Sequence, residues 1–172
     1  ELIPDVLPLG AVVQVLQGLL KEQVSIRDLR TIFETLADEA PRTKDIDVLI
    51  ESVRKKMCRN ITSKYKDEDD NLMVMSLSPH IEELLANSLL QSEQGVQLVM
   101  DPRMAQSIIT EIAQTIENSP EVAAQPVILT SPTIRRHLRK LIERFLPQVA
   151  VLSHNEVSLD VKVHSAAVVE VA

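Results

Sequence analysis

The sequence predicts an α+β protein built from a three-helix subdomain over residues 1–68 and a small α/β subdomain over residues 69–172. Apolar residues recur at helical spacing through the first part. A charged run then interrupts the pattern at 66–71. Beyond it, three short apolar runs each lead into a capping residue, a proline and another helical pattern, which predicts a mixed sheet flanked by helices.

Three apolar stripes predict the helices of the first subdomain. We expect the first helix to begin near Pro8 and the second to follow Ser25, which with Asp28 resembles a capping box. Pro41 should end the second helix. The third is expected to enter at 43–45. The residues expected on these three faces are Val12, Val13, Leu16, Leu19 and Leu20, then Ile26, Leu29, Phe33 and Leu36, then Ile46, Leu49, Ile50, Val53, Met57 and Ile61.

The run of charged residues at 66–71 marks the predicted boundary. Its sequence, KDEDDN, has no apolar residue and favours a solvated loop. An acidic metal-binding loop is the alternative interpretation, but the ligand pattern and the glycine of a calcium loop are absent.

The second subdomain is predicted from strands that precede capped helices. The turns Ser78-Pro79, Asp101-Pro102 and Ser131-Pro132 each place proline at a first helical position. The first of these helices should run through Leu89, and the third should bury Phe145 with Ile134, Leu138, Leu141 and Ile142. The expected strands are 72–77, 99–100, 126–130, 149–152 and a final edge or hairpin strand over 161–169.

Composition excludes several classes of function. The net charge of −7 disfavours a polyanionic partner, and an aromatic content of 2% without Trp disfavours stacking on single-stranded nucleic acid. No apolar stretch approaches the roughly 20 residues of a membrane helix. Cys58 stands alone, which fits a reducing compartment. Because the chain starts at Glu1, we expect a fragment of a longer protein.

No motif predicts a catalytic, metal or cofactor site. The three glycines are scattered, so phosphate-binding loops are absent, and the four histidines form no metal-ligand pair. His154 and Glu156 could act together as a general base in catalysis, but no nucleophile motif accompanies them. Cys58 is expected to be a packing residue. We therefore expect no catalytic residue, no metal and no cofactor.

Two clusters of basic residues allow more than one interpretation. Five cations on the last predicted helix form either a solvated face or a docking face for an acidic partner: Arg135, Arg136, Arg139, Lys140 and Arg144. In the first subdomain, 24–30 could begin a helix of a helix-turn-helix DNA reader. Cations on the third helix (Arg54, Lys55, Lys56 and Arg59) fit that reader, whereas 11 basic against 14 acidic residues over 1–70 oppose it.

A long string in the first subdomain is specific enough to suggest a family. Residues 15–37, VLQGLLKEQVSIRDLRTIFETLA, resemble the pattern VLQxLLxExVSIRDLRTIxExLA of the type III export gates (FlhA, InvA and LcrD type). The segments 45–61 and 147–156 resemble the same family in the same order. The ending LSHNE at 152–156 is more similar to flagellar members.

The resemblance implies the C-terminal cytosolic part of a bacterial inner-membrane export gate, with no enzymatic activity. Residues 1–68 would be the third cytosolic subdomain and 69–172 the fourth. The family's membrane region and first two cytosolic subdomains would precede them. Implied partners are further copies of the chain in a nonameric ring, export substrates, chaperones and components of the ATPase complex, without nucleic acid.

The resemblance also suggests where contacts lie. The third subdomain supplies ring contacts in the family, which makes Arg27, Asp28 and Arg30 the candidates here; capping and a solvated face are their alternative roles. The 135–144 face is the candidate for docking either between subdomains or with a partner. Two other functions stay open: a DNA-binding regulator with an α/β effector domain, and a small α/β enzyme.

Overall fold

The computed structural model describes residues 1–171, which divide by their packing into two compact units. The first unit comprises 1–64 together with 155–158, and the second comprises 65–154 together with 159–171. The sequence division into 1–68 and 69–172 did not include the four-residue segment that returns to the first unit.

The first unit is a helical bundle in which the third helix contacts the first two. The Cβ that an alanine would add at Gly18 meets the side chain of Ile50, so the first and third helices approach closely there. The predicted third stripe is confirmed, since Leu49, Ile50 and Val53 are buried. The helices are α1 Leu9–Lys21, α2 Leu29–Glu39, α3 Ile46–Lys56 and α4 Cys58–Ser63, preceded by short turns at Leu2–Val6.

Three details of the predicted helices differ from the structure. Asp28, and not Ser25, is the N-cap of α2. On α1, Val15 is buried while Val13 and Leu20 are exposed, so the buried face is rotated from the predicted one. The predicted third helix is two helices, because Met57 has φ −97° and ψ 22°.

The second unit contains a four-stranded parallel sheet with the order β5-β4-β1-β6. Its last strand is an edge strand paired with β1, as one of the two predicted alternatives required. A separate antiparallel pair is formed by β2 and β3. The strands are β1 Asn71–Leu77, β2 Leu89–Ser92, β3 Gly95–Leu98, β4 Val127–Thr130, β5 Ala150–Ser153 and β6 Lys162–Val169.

Helices of the second unit build its core against the parallel sheet. Met75, Ile128 and Val151 on the strands belong to one buried cluster with Ile112 and Leu138 on the helices. All four helices begin with proline, which suits a position whose N–H has no helical acceptor. They are α5 Pro79–Asn87, α6 Pro102–Glu117, α7 Pro120–Ala123 and α8 Pro132–Ile142.

The fold class is confirmed, with two local corrections. The hairpin of β2 and β3 replaces the predicted helix end at Leu89 and the predicted strand at 99–100. Phe145, expected in the core, is 60% exposed because α8 ends at Ile142. Within residues 1–171, no helix combines the length and the apolar character that crossing a membrane requires.

Candidate interaction surfaces

The first candidate surface lies at the start of α2. Asp28 caps this helix: its carboxylate accepts bonds from the Thr31 N–H at 3.1 Å and the Thr31 hydroxyl at 2.7 Å. Arg30 donates to Glu34 at 2.8 Å, one helical turn ahead. Arg27 is exposed, and within residues 1–171 its side chain makes no hydrogen bond or ion pair. Arg27 is therefore the member of this trio that is available to a partner.

Local bonds favour the ionised forms of Asp28 and Arg30. The hydroxyl and the N–H of Thr31 lower the pKa of Asp28, because both bonds favour the carboxylate. The bond to Glu34 raises the pKa of Arg30. Asp28 and Arg30 thus serve the helix itself, in keeping with the capping alternative, while Arg27 presents a free cation beside them.

The second candidate surface lies on α8, where the structure separates five predicted cations into two groups. Arg135 is 1% exposed and donates to the carbonyl of Val151 on β5 at 3.0 Å. Arg139 donates to the carbonyl of Val149 at 2.7 Å. The two guanidinium groups thus hold the helix against β5 and the residue that precedes it. Arg135 is not available to a partner.

The remaining cations lie on the outer side of α8. Lys140 and Arg144 are exposed, and Arg136 is half-buried, with its Nε 3.3 Å from Nε2 of the buried His137. Phe145, an exposed aromatic residue, follows Arg144 directly. The predicted docking face is therefore reduced to Arg136, Lys140 and Arg144, and Phe145 adds an apolar group that the sequence had assigned to the core.

A buried ion pair lies inside the first unit and was not predicted from the sequence. Arg54 donates from Nε to Glu156 Oε1 at 2.7 Å and from Nη2 to Oε2 at 3.0 Å. Glu22 lies 3.8 Å from Nη1 of the same arginine. The sequence allows Arg54 as a DNA contact, and Glu156 as the partner of His154 in general-base catalysis. Their burial at 2% and 1% makes both side chains structural.

The residues considered for chemistry have other roles in the described structure. His154 is exposed and begins a 3₁₀ turn, while the Glu156 carboxylate is directed to Arg54. Among residues 1–171, no group of three or more His, Cys, Asp or Glu side chains is placed to hold a metal ion. In the charged loop, the Asp67 carboxylate accepts from the Asp69 and Asn71 N–H groups, so the loop is closed by its own backbone.

Polar side chains at the carboxyl ends of the parallel strands bond to one another. This edge is the usual ligand site of open α/β sheets. Ser78, after β1, donates to Glu170 at 2.9 Å and accepts from the Ile81 N–H at 3.2 Å. Thr130 on β4 donates to Glu82 at 2.7 Å. These contacts cap α5 and join neighbouring strands; the groups carry no recognisable catalytic arrangement.

The comparisons with known proteins identify the family. The model of the FHIPEP family matches residues 1–162. The chain belongs to the FHIPEP family. It is 37% identical over 171 residues to the flagellar biosynthesis protein FlhA of Bacillus subtilis, covering 99% of this chain and 25% of FlhA. This FHIPEP chain thus spans about a quarter of the length of that curated relative.

Solved structures of related proteins share the fold. The CdsV protein of Chlamydia pneumoniae has a TM-score of 0.90 and 32% identity, covering 98% of this chain and 48% of that structure. The nonameric SctV-C of EPEC has a TM-score of 0.85 and 36% identity, covering 96% and 49%. CdsV has also been solved in complex with the CdsO protein. The predicted resemblance to type III export gates is confirmed at the level of family and fold.

Proposed function

We propose that this FHIPEP chain is part of the cytosolic portion of a flagellar or type III export gate. It contributes to an export ring and to the docking of export components. The matching of the family over residues 1–162 carries this proposal. The gate would be anchored in the bacterial inner membrane by a part outside this chain, and the portion described here would face the cytoplasm.

We infer that the ring consists of nine copies. The proposal is supported by EPEC SctV-C, which is nonameric and matches 96% of this chain at 36% identity. A closed ring has a heterologous interface, in which two different patches meet at every contact. The exposed Arg27, whose side chain makes no bond within residues 1–171, is our candidate for one of these patches, next to the α2 cap formed by Asp28 and the Arg30–Glu34 pair.

The second role is docking without covalent chemistry. A component of the export apparatus is a suitable partner, because the related CdsV forms a complex with CdsO. Substrates and chaperones are further proposed partners. We propose no enzymatic activity: Glu156 is held by Arg54, and the polar groups at the carboxyl edge of the sheet bond to one another. Binding through complementary surfaces is the mechanism that these contacts support.

The proposed function is tested by replacing the complete gene with a copy that lacks the codons for residues 1–172. Exported flagellar or effector protein is then measured in the culture medium, with the intact gene supplied in trans as the control. We expect export to be lost and then restored by the intact copy. Export at the wild-type level without residues 1–172 would contradict the proposal.

A further inference from the structure

We propose that a surface formed by Arg136 and Lys140 on α8 and by Arg144 and Phe145 in the turn that follows it is a docking site for an acidic helix of a partner protein. We call these four residues the α8 end. The inference rests on the proposed function, since it specifies the chemistry of one docking partner of the same export module. The site is assigned from side-chain spacing, charge and the exposure of Phe145.

Spacing places two of the three cations of the α8 end on one side of the helix. Arg136 and Lys140 are four residues apart on α8 and therefore lie on one side of it. Arg144 lies two residues beyond the end of α8, in the turn that follows Glu143, and is exposed. At 1.5 Å per residue, Arg136 and Lys140 lie about 6 Å apart along the helix axis. A helix with carboxylates four residues apart presents its charges at the same interval.

The positive charge of the α8 end indicates that its partner is negatively charged. The chain carries a net charge of −7, and the α8 end is a local concentration of positive charge on that acidic background. Within the described residues, the Arg144 side chain makes no hydrogen bond or ion pair, so a partner carboxylate can take its donors without displacing another group. Opposite charge attracts the acidic partner and excludes basic ones.

Phe145 supplies the apolar part of the site. It is one of three aromatic residues in the chain and is 60% exposed. Its N–H bonds to the Ile142 carbonyl in the last turn, which fixes its backbone beside Arg144. Phenylalanine and arginine are both enriched at protein interfaces relative to the rest of the surface. An apolar side chain on the acidic helix would cover the ring.

A protein partner fits these contacts better than nucleic acid does. Arg135 and Arg139 are directed to the carbonyls of Val151 and Val149, which leaves three cations for the surface. Binding to a phosphate backbone gains affinity with each phosphate that a cation neutralises, and three cations supply few such contacts. Three cations beside a single aromatic ring suit a short acidic helix.

The test uses the complete export-gate protein in cells, with Phe145→p-benzoylphenylalanine as a photo-crosslinking residue. Cross-linked peptides are identified by mass spectrometry. We expect an adduct with a peptide of net negative charge from another protein. Arg144→Glu should lower its yield about fivefold or more, since an exposed ion pair accounts for up to about fivefold and reversal adds repulsion. Arg103→Glu, an exposed reversal on α6, should leave the yield unchanged.

Three results would overturn the inference. The first is a crosslinking yield no higher than that of Leu159→p-benzoylphenylalanine, a control at another exposed position. The second is an adduct with a neutral or basic peptide. The third is an adduct with a second copy of the chain. A Lys substitution for the acidic residue of the cross-linked peptide should restore the yield with Arg144→Glu. Export is measured in the same cells, so a failed crosslink with residues 1–172 still required for export contradicts the docking site alone.

Discussion

Arg54 and Glu156, which are 102 positions apart in the sequence, form a bidentate ion pair inside the first unit, with N–O distances of 2.7 and 3.0 Å. Thr62 also contacts this segment: its hydroxyl proton is shared between the Cys58 carbonyl at 2.6 Å and the Glu156 carbonyl at 3.0 Å, and its oxygen accepts from the Ser158 N–H at 3.2 Å. The segment 155–158 is therefore held to the helices by both side chain and backbone. It is a structural part of the unit that it joins.

Removing one partner of this pair should destabilise the first unit strongly. Glu156→Ala leaves the Arg54 charge buried, with Glu22 at 3.8 Å as a counter-charge. Breaking a buried pair in this way costs about 3–5 kcal/mol, and we expect the lower end because Glu22 remains. The measurement is urea unfolding followed by circular dichroism. Glu68→Ala, in the exposed loop, is the control.

Replacing both partners by apolar residues tests whether the loss comes from the unpaired charge. Arg54→Met combined with Glu156→Leu removes both charges, so we expect it to be more stable than Glu156→Ala alone. Two results would contradict this account of the pair. One is a double variant whose loss of stability equals the sum of the losses in Arg54→Met and Glu156→Leu alone. The other is a loss below about 1 kcal/mol for Glu156→Ala.

The effect of Gly18→Ala on stability should depend on the side chain at position 50 of α3. A Cβ at Gly18 meets Cδ1 and Cγ1 of Ile50, and overpacking costs about 1–3 kcal/mol, against a gain in helix propensity of about 1 kcal/mol. Gly18→Ala should therefore lower the free energy of unfolding. In an Ile50→Val background, which lacks Cδ1, the same change should raise it.

The matched control for this prediction is Gly10→Ala on the same helix, where no atom lies within 4 Å of the added Cβ. It should not lower stability. The measurement is the urea midpoint of unfolding for Gly18→Ala, Ile50→Val, the combination of the two, and Gly10→Ala. If Gly18→Ala were stabilising in the wild-type background, the contact between α1 and α3 would be looser than described.

The α2 cap predicts a pH dependence. Bonds from Thr31 lower the folded-state pKa of Asp28 below its unfolded value of about 3.9. Its contribution is therefore present above that unfolded value and is lost as the pH falls through the lower folded pKa. Asp28→Asn keeps a good N-cap but cannot titrate. The difference in urea midpoint between the wild type and this variant should shrink from pH 6 to pH 2.5; a constant difference would contradict the assignment.

The sequence predicted the parts of the fold that repeat. The stripe through Leu49, Ile50 and Val53 and the serine- or aspartate-proline helix starts are local signals, and the structure contains both. The hairpin was missed because its apolar residues Leu89 and Leu90 directly follow α5, so the helical pattern continued into it. Met57 fits the helical stripe although its backbone leaves the helix, and periodicity cannot detect such a break.

The candidate surfaces could be predicted only in part. Residue type and spacing located the cations of α8, but whether a guanidinium is directed inwards depends on tertiary acceptors such as the Val151 carbonyl of β5. Arg135 was therefore expected at the surface and is buried. The Arg54–Glu156 pair has no local signature at all, since each residue alone resembles an ordinary charged surface residue.

The DNA-binding alternative predicts tight binding to duplex DNA, whereas our proposal predicts none. Arg54 is buried, so the cluster on α3 and α4 that could contact a duplex loses one of its four cations. We expect the 172-residue chain to show no tight binding to random duplex DNA in fluorescence polarisation at physiological ionic strength. Binding that weakens steeply with added salt would support the regulator instead.

The assignment of Arg27 to a ring contact predicts a specific loss of assembly. Arg27→Glu reverses an exposed cation that makes no bond within the described residues, so folding should be unaffected. Arg59→Glu makes the same change in charge at another exposed position of the first unit. Circular dichroism of both variants is the control for folding, and exported protein in the culture medium should fall only with Arg27→Glu.

The most direct test of the export-ring proposal is native mass spectrometry of the complete cytosolic portion of the gate protein over a range of concentrations. We expect the wild type and Arg59→Glu to form a nine-membered assembly, and Arg27→Glu to shift it to monomers. A wild type that stays monomeric at every concentration would contradict the ring. An assembly unchanged by Arg27→Glu would contradict the contact assigned to that residue.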